Sequence, residues 1–308
     1  MEKRELHGFR IYRQEPLSVT FKRVLLEQLN QSLLLCGRYA ENPDFMTHEI
    51  RKSTKRIRAV YRLFRQAAGN DIYLNGKELY GALGRLLAEH RVSTVYIETM
   101  HRLASDNRLP VSLNYLEKRI AEQENRHKQL THLLIREQRL DKQLKQIIQA
   151  ETQKLIVEPL FSCDFASLTE GLQNTYSKGR KSLELIVQQA DTENLHNLRK
   201  KVKSLWNQMI MLRPVWPAVI SHTVHQFDLL AEKLGIEHDL AELEHFLINE
   251  RIENSEDQCH ILLKFIAKKR QHIQKAIIPL AMRLYADKPG AMVGKMEVYY
   301  RMFLRLNS

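Results

Sequence analysis

Two short stretches of this chain concentrate side chains that bind anions. HEIRKSTKRIRAVYRLFR, residues 48–65, holds seven Lys or Arg, one His and a single acid, and HNLRKKVKSL, residues 196–205, repeats the order without any acid. The two align without gaps at a separation of 148 residues: His48 with His196, Arg51 with Arg199, Lys52 with Lys200 and Lys55 with Lys203. On a helix advancing about 100° per residue, His48, Arg51, Lys52, Lys55, Arg58 and Arg62 fall on one side. Ile50, Ile57, Val60, Tyr61 and Phe64 fall on the other. In the second copy His196, Arg199, Lys200 and Lys203 oppose Leu198, Val202, Leu205 and Met209. Each helix should anchor by its apolar side and present a basic stripe outward.

A solvated helix face usually mixes charge signs, because like charges at i,i+3 and i,i+4 each destabilise by roughly 0.2–0.5 kcal/mol. Stripes that lack this mixing and recur with the same spacing point to a bound anion. Guanidinium groups such as Arg51 and Arg199 can grip phosphate oxygens bidentately, while Lys52, Lys55, Lys200 and Lys203 act as point charges. His48 and His196, flanked by cations, can donate one hydrogen bond when neutral and gain charge beside a polyanion, so binding should be tighter at pH 6 than at pH 8.

Composition agrees with an anionic partner. The 308 residues carry 48 Lys or Arg against 36 Asp or Glu, a formal charge of +12, with 44% apolar residues to build a core. Three widely spaced cysteines, Cys36, Cys163 and Cys259, suggest buried thiols in a reducing compartment rather than a disulfide framework. No apolar run has signal-peptide or membrane-spanning length, so a cytoplasmic location without a membrane partner is expected.

The elements that must hold the stripes are helices. Apolar residues recur at three- and four-residue spacing, and few Gly or Pro interrupt them. This spacing predicts an all-α protein with helices near 17–39, 46–67, 76–89, 92–104, 112–157, 165–190, 193–212, 217–234, 238–250, 257–286 and 291–305. The repeat predicts two related halves, 1–157 and 158–308.

These motifs, together with the turns LAEHRVSTV and LGIEHDLAEL, the helix GLQNTYSKGRKSLELI and the terminal AMRLYADKPGAMVGKM, resemble the CHAD family, the conserved-histidine α-helical domain, over nearly the whole chain. The resemblance implies two pseudo-symmetric four-helix bundles whose basic helices face each other across a central groove or pore that binds inorganic polyphosphate. It adds Arg91, in the first turn, and Tyr176 and Arg180, in the TYSKGR element, as site residues, with Lys269 and Arg270 on the penultimate helix. Val92 stands where the family has Asp, and Trp206 occupies the second-half position matched by Arg58.

Other classes fit less well. Single-strand nucleic-acid binders interleave aromatics with cations for stacking, whereas Tyr61 and Phe64 lie on the apolar face, leaving backbone-only contact with RNA or DNA. A phosphate-processing enzyme needs carboxylates for metal ions, and the stripes offer only Glu49, which the spacing turns away from the basic face. A non-catalytic protein without cofactor is expected. His238, Glu242 and His245, and likewise His222 and His225, share a helix side but read as ordinary surface or core histidines. A scaffold docking partners along 112–157 is a further possibility.

Overall fold

The computed structural model describes residues 8–249 and 256–305; residues 1–7, 250–255 and 306–308, including the end of the expected 238–250 helix, lie outside it. Among the described residues the chain is all-helical, with α1 (Leu17–Gly37), α2 (Pro43–Leu63), α3 (Arg65–Ala68), α4 (Asn70–Leu86), α5 (Ala88–Ala104), α6 (Leu113–His132) and α7 (Leu140–Val157). The second half carries α8 (Phe165–Gln188), α9 (Thr192–Leu212), α10 (Pro217–Asn249), α11 (Glu256–Leu284) and α12 (Pro289–Arg305). No described helix is long and apolar enough to cross a membrane.

The helices that carry the stripes begin at defined caps. The Asn42 side chain accepts from the Phe45 amide with Pro43 in the first turn of α2, and Asp191 does the same for the Asn194 amide of α9. Both place an orphan N–H on a side-chain oxygen. Their apolar sides are sealed: Ile50, Ile57 and Val60 on α2, and Leu198, Val202 and Leu205 on α9, are fully buried.

Helix ranges recur at the spacing of the motif repeat. Shifted by 148 residues, α1 falls on 165–185 against Phe165–Gln188 for α8, α2 on 191–211 against Thr192–Leu212 for α9, and α7 on 288–305 against Pro289–Arg305 for α12. Packing partners correspond as well. Helix α1 packs on α2 and α7, as α8 packs on α9 and α12; α10 packs on both α9 and α11, as α4 does on α2 and α5 on α6.

Two predicted boundaries are corrected. The single helix expected over 112–157 is α6 and α7, separated by a π-turn at Leu133–Glu137 and by Arg139 in a left-handed conformation at φ 54°. The break serves two cores: Leu116 and Ile120 of α6 bury with Met100, Leu243 and Leu262, whereas Leu140, Leu144 and Ile148 of α7 bury with the larger cluster around Phe21, Ile57 and Leu198. Conversely, the helices expected at 217–234 and 238–250 are one, α10, running through Gly235. A single mid-helix glycine costs only about 1 kcal/mol, and Leu230, Leu234, Leu240 and Leu243 bury on either side of it. Of the three cysteines, all free, Cys36 is buried while Cys163 and Cys259 are half-buried.

Both clusters draw on residues from either side of position 157, so the halves share their cores. One junction depends on a glycine. A Cβ at Gly171 of α8 would lie 2.1 Å from the Leu63 carbonyl oxygen at the end of α2. Gly171→Ala is therefore expected to force α8 off α2 and to destabilise by about 1–3 kcal/mol, read as a lower unfolding midpoint. An unchanged midpoint would mean that this approach does not position α2.

Candidate functional site

Helices α2 and α9 pack against each other, and α8 packs on both. Between them opens a groove of about 430 Å³. The first half supplies Lys55, Arg58, Arg62, Arg65, Tyr73 and Lys77, and the second Gly171, Asn174, Thr175, Lys178, Arg199, Lys200, Lys201, Lys203 and Ser204. Ten of these are Lys or Arg and none is a carboxylate. A concavity lined by one sign of charge focuses the field and concentrates counter-ions of the opposite sign.

Two of the cations hold donors that the fold leaves unused. Nε of Arg58 and Nε of Arg199 are buried without a hydrogen-bond partner. A buried N–H without an acceptor costs roughly 1–3 kcal/mol, so a ligand oxygen that satisfies it gains that amount. Arg62 is held from both sides: Nη1 donates to the Arg58 carbonyl at 3.2 Å and to Ser204 Oγ at 3.4 Å, tying α2 to α9 across the groove.

Electrostatics follow from crowding. Desolvation, and then Arg199, Arg51, Lys203 and Arg91, holds the Lys55 ammonium well below the usual lysine range, at about 7. Lys55 lines the groove among these cations, and its side chain is exposed to water. Burial also lowers Arg199 and Arg51, and desolvation with neighbouring cations lowers His48 and His196. Like charges held this close repel one another, and a counter-charge placed among them would relieve that repulsion.

The residues expected from the sequence divide into three groups. Lys55, Arg58, Arg62, Arg199, Lys200 and Lys203 line the groove. His48, Arg51, Lys52, Arg91 and His196 flank it: Arg51 donates to the Gly84 carbonyl, Arg91 pairs with Glu98 at 2.9 Å, and His196 Nδ1 lies 3.3 Å from His238 Nδ1. Glu49 does not turn away from the basic side, because at i,i+3 it meets Lys52 Nζ at 3.1 Å. The remainder are engaged elsewhere. Tyr176 donates to the carbonyls of Leu284 and Asp287, Arg180 to the Asp287 carbonyl, Lys269 pairs with Asp106, and Arg270 with Glu237 and Glu244. These contacts fasten α8, α10 and α11 rather than the groove.

Sequence reasoning missed Arg65, Tyr73, Lys77, Lys178 and Lys201 in the groove. Lys178 had a signal: it lies two residues from both Tyr176 and Arg180, about 200° round the helix, and shares the i, i+4, i+7 side of Gly171 and Thr175. Tyr73 reaches the groove from α4, which no basic motif marks. Its ring is covered by the Arg65 guanidinium at 4.6 Å. Of the other histidines considered, His238 lies 3.9 Å from Glu242, and His245 Nδ1 is bonded to the Asn249 amide at 2.9 Å.

A second cavity, of about 400 Å³, is walled by Phe21, Tyr61, Ile72, Leu79, Leu155 and Phe161 and belongs to the packing of α1, α4 and α7.

Comparison with known proteins bears on the fold and the family. The solved structure titled "PptA from Streptomyces chartreusis" is similar, with a TM-score of 0.61 at 13% identity over 89% of this chain and 100% of that one, a likeness of fold. No curated protein matches the chain. The model of the CHAD domain matches residues 25–248, a span holding both basic stripes and the turns that follow them, and the chain therefore belongs to the CHAD family.

Proposed function

We propose that this protein is a non-catalytic receptor for inorganic polyphosphate, bound along the groove between α2 and α9. The observation that carries the reading is ten Lys or Arg facing one another with no carboxylate among them and two buried guanidinium donors unused. Polyphosphate presents about one negative charge per phosphate at close repeat, with no base or sugar to recognise, so a lining of cations alone is sufficient chemistry. The recurrence of helix ranges and packing partners at 148 residues supports two pseudo-symmetric helical bundles, each contributing one wall.

Lys200 and Lys203 act as point charges on the α9 wall, and Lys55 and Arg58 face them from α2. Arg199 and Arg58 supply directed donors, since guanidinium groups match phosphate geometry. Catalysis would require a carboxylate-held metal ion or an activated nucleophile beside the phosphates, and the groove lining offers neither. Nucleic acid is the second reading. Tyr73 could stack a base, but Arg65 already occupies its face.

The test is a titration with long-chain polyphosphate across a salt series, with single-stranded RNA of equal total charge as competitor. Affinity is expected to fall by at least ~10³ between 50 and 200 mM salt if six or more phosphates are contacted, and RNA is expected not to displace the ligand. Equal displacement by RNA would make the groove a general polyanion surface and overturn the assignment.

A further inference from the structure

Away from the groove, three side chains that no local motif joins converge where the first turn of α2 meets α5 and α6. We infer that Asp44, His90 and His127 form a binding site for a divalent transition-metal ion of the zinc class.

The donor atoms already face one another. Asp44 Oδ1 lies 2.9 Å from His127 Nε2 and 3.7 Å from His90 Nε2, and all three atoms fall within 4.8 Å. A tetrahedral zinc ion with bonds of about 2.0–2.1 Å needs ligand atoms about 3.3 Å apart, so these separations bracket the requirement and only small side-chain rotations are needed. Two imidazoles and one carboxylate suit zinc or its neighbours better than magnesium or calcium, which favour all-oxygen sets.

The surroundings orient the ligands as a metal would require. His127 Nδ1 sits 3.1 Å from Ser93 Oγ, so that ring can give its Nδ1–H to the hydroxyl and turn its Nε2 lone pair inward. His90 lies between two hydroxyls, Nδ1 3.1 Å from Thr47 Oγ1 and Nε2 3.1 Å from Thr131 Oγ1, and a metal ion would replace the Thr131 contact. Thr94 Oγ1 donates to Asp44 Oδ1 at 2.8 Å and fixes that carboxylate. His90 is 1% exposed, whereas the Asp44 side chain is 46% exposed. One flank therefore stays open, as an entry path and as a fourth position for water.

The site is independent of the basic repeat. Shifted by 148 residues, Asp44, His90 and His127 correspond to Thr192, His238 and Lys275, and Thr192 accepts from the Arg270 guanidinium at 2.8 Å. The second half thus carries a fixed cation near the place where the first half assembles three ligands. A metal there would pin the start of α2 to α5 and α6 and so set the tilt of the stripe that follows. No spacing rule could reveal it, because the ligands come from three helices and the two His are 37 residues apart.

The experiment strips the full-length protein with a chelator and titrates it with cobalt(II), reading the d–d absorption of tetrahedral cobalt, then displaces it with zinc(II). One equivalent is expected, with an intense tetrahedral band and no thiolate charge-transfer band. Asp44→Asn and His127→Gln are each expected to weaken binding by about 100-fold or more at unchanged helix content, and Ser93→Ala by roughly tenfold. Failure of the wild type to take up one equivalent, a thiolate band from the free cysteines, or equal affinity in Ser93→Ala and the ligand variants would overturn the site. The wild-type titration decides the matter even if a ligand variant does not fold.

Discussion

Replacing Lys55, Arg58, Arg199 and Lys203 together by alanine is expected to weaken polyphosphate binding about a thousandfold at physiological salt while leaving the protein folded. The four line one groove from both walls, and two of them present buried Nε–H groups without protein partners. If each charge-assisted contact contributes about 1 kcal/mol net, four contribute about 4 kcal/mol, close to three decades in affinity. The slope of log affinity against log salt should shrink by about one for each phosphate contact removed. Folding should not suffer, because the substitutions remove like charges that repel one another; the apolar sides of α2 and α9 remain sealed by Ile50, Ile57, Leu198 and Leu205. A control variant with Lys118, Lys142 and Lys145 changed to alanine, all exposed on α6 and α7, is expected to bind as the wild type does. Equal losses in both variants would mean that net charge, and not the groove, governs binding.

Lys55→Met is expected to raise the stability of the unliganded protein and lower its affinity for polyphosphate about tenfold. Desolvation, then the neighbouring Arg199, Arg51, Lys203 and Arg91, depresses the Lys55 ammonium to about 7 from an ordinary 10.5. Between those values the unfolded chain binds the proton and the folded one does not, so wild-type stability rises with pH across this window. The penalty is fully present below about pH 7 and gone above about pH 10.5. Methionine never carries it, so the variant's advantage should be largest near pH 6.5 and vanish towards pH 10, staying modest because water reaches the side chain. Binding runs the other way: a phosphate beside Lys55 restores its proton, so wild-type binding at pH 8 should take up protons, seen as a calorimetric heat that depends on the buffer, and Lys55→Met should reduce that uptake. His48 and His196, both held below the usual histidine range, add to it, and affinity should be higher at pH 6 than at pH 8. A stability difference that is flat with pH would contradict the placement of Lys55.

The two stripes were legible because each sits on a single helix, where position along the sequence translates directly into direction. His48 to Arg62 and His196 to Lys203 could be assigned to one side by rotation alone, and the groove brings together Lys55, Arg58, Arg62, Arg199, Lys200 and Lys203. What spacing cannot supply is the partner. Lys77 and Tyr73 enter from α4, and Lys178 from the side of α8 opposite Tyr176, since neighbouring helices approach at angles set by packing, with Gly171 against Leu63 as one determinant. Tyr176, Arg180, Lys269 and Arg270 entered through family likeness, and here they serve carbonyls and carboxylates of the fold. Helix existence was read well and helix continuity less so. Gly235 looks like a break but is carried by buried leucines, and the charged run 112–157 looks continuous but bends where its apolar stripe passes from one core to the other.

The most direct measurement is the protection of lysines from acylation, mapped by mass spectrometry with and without long-chain polyphosphate. The two-walled groove requires Lys55 on α2 and Lys77 on α4, and Lys178 on α8 with Lys200, Lys201 and Lys203 on α9, to be protected together, while Lys118, Lys142 and Lys145 react as before. Protection of one wall alone, or of the α6 and α7 lysines equally with the groove, would contradict it.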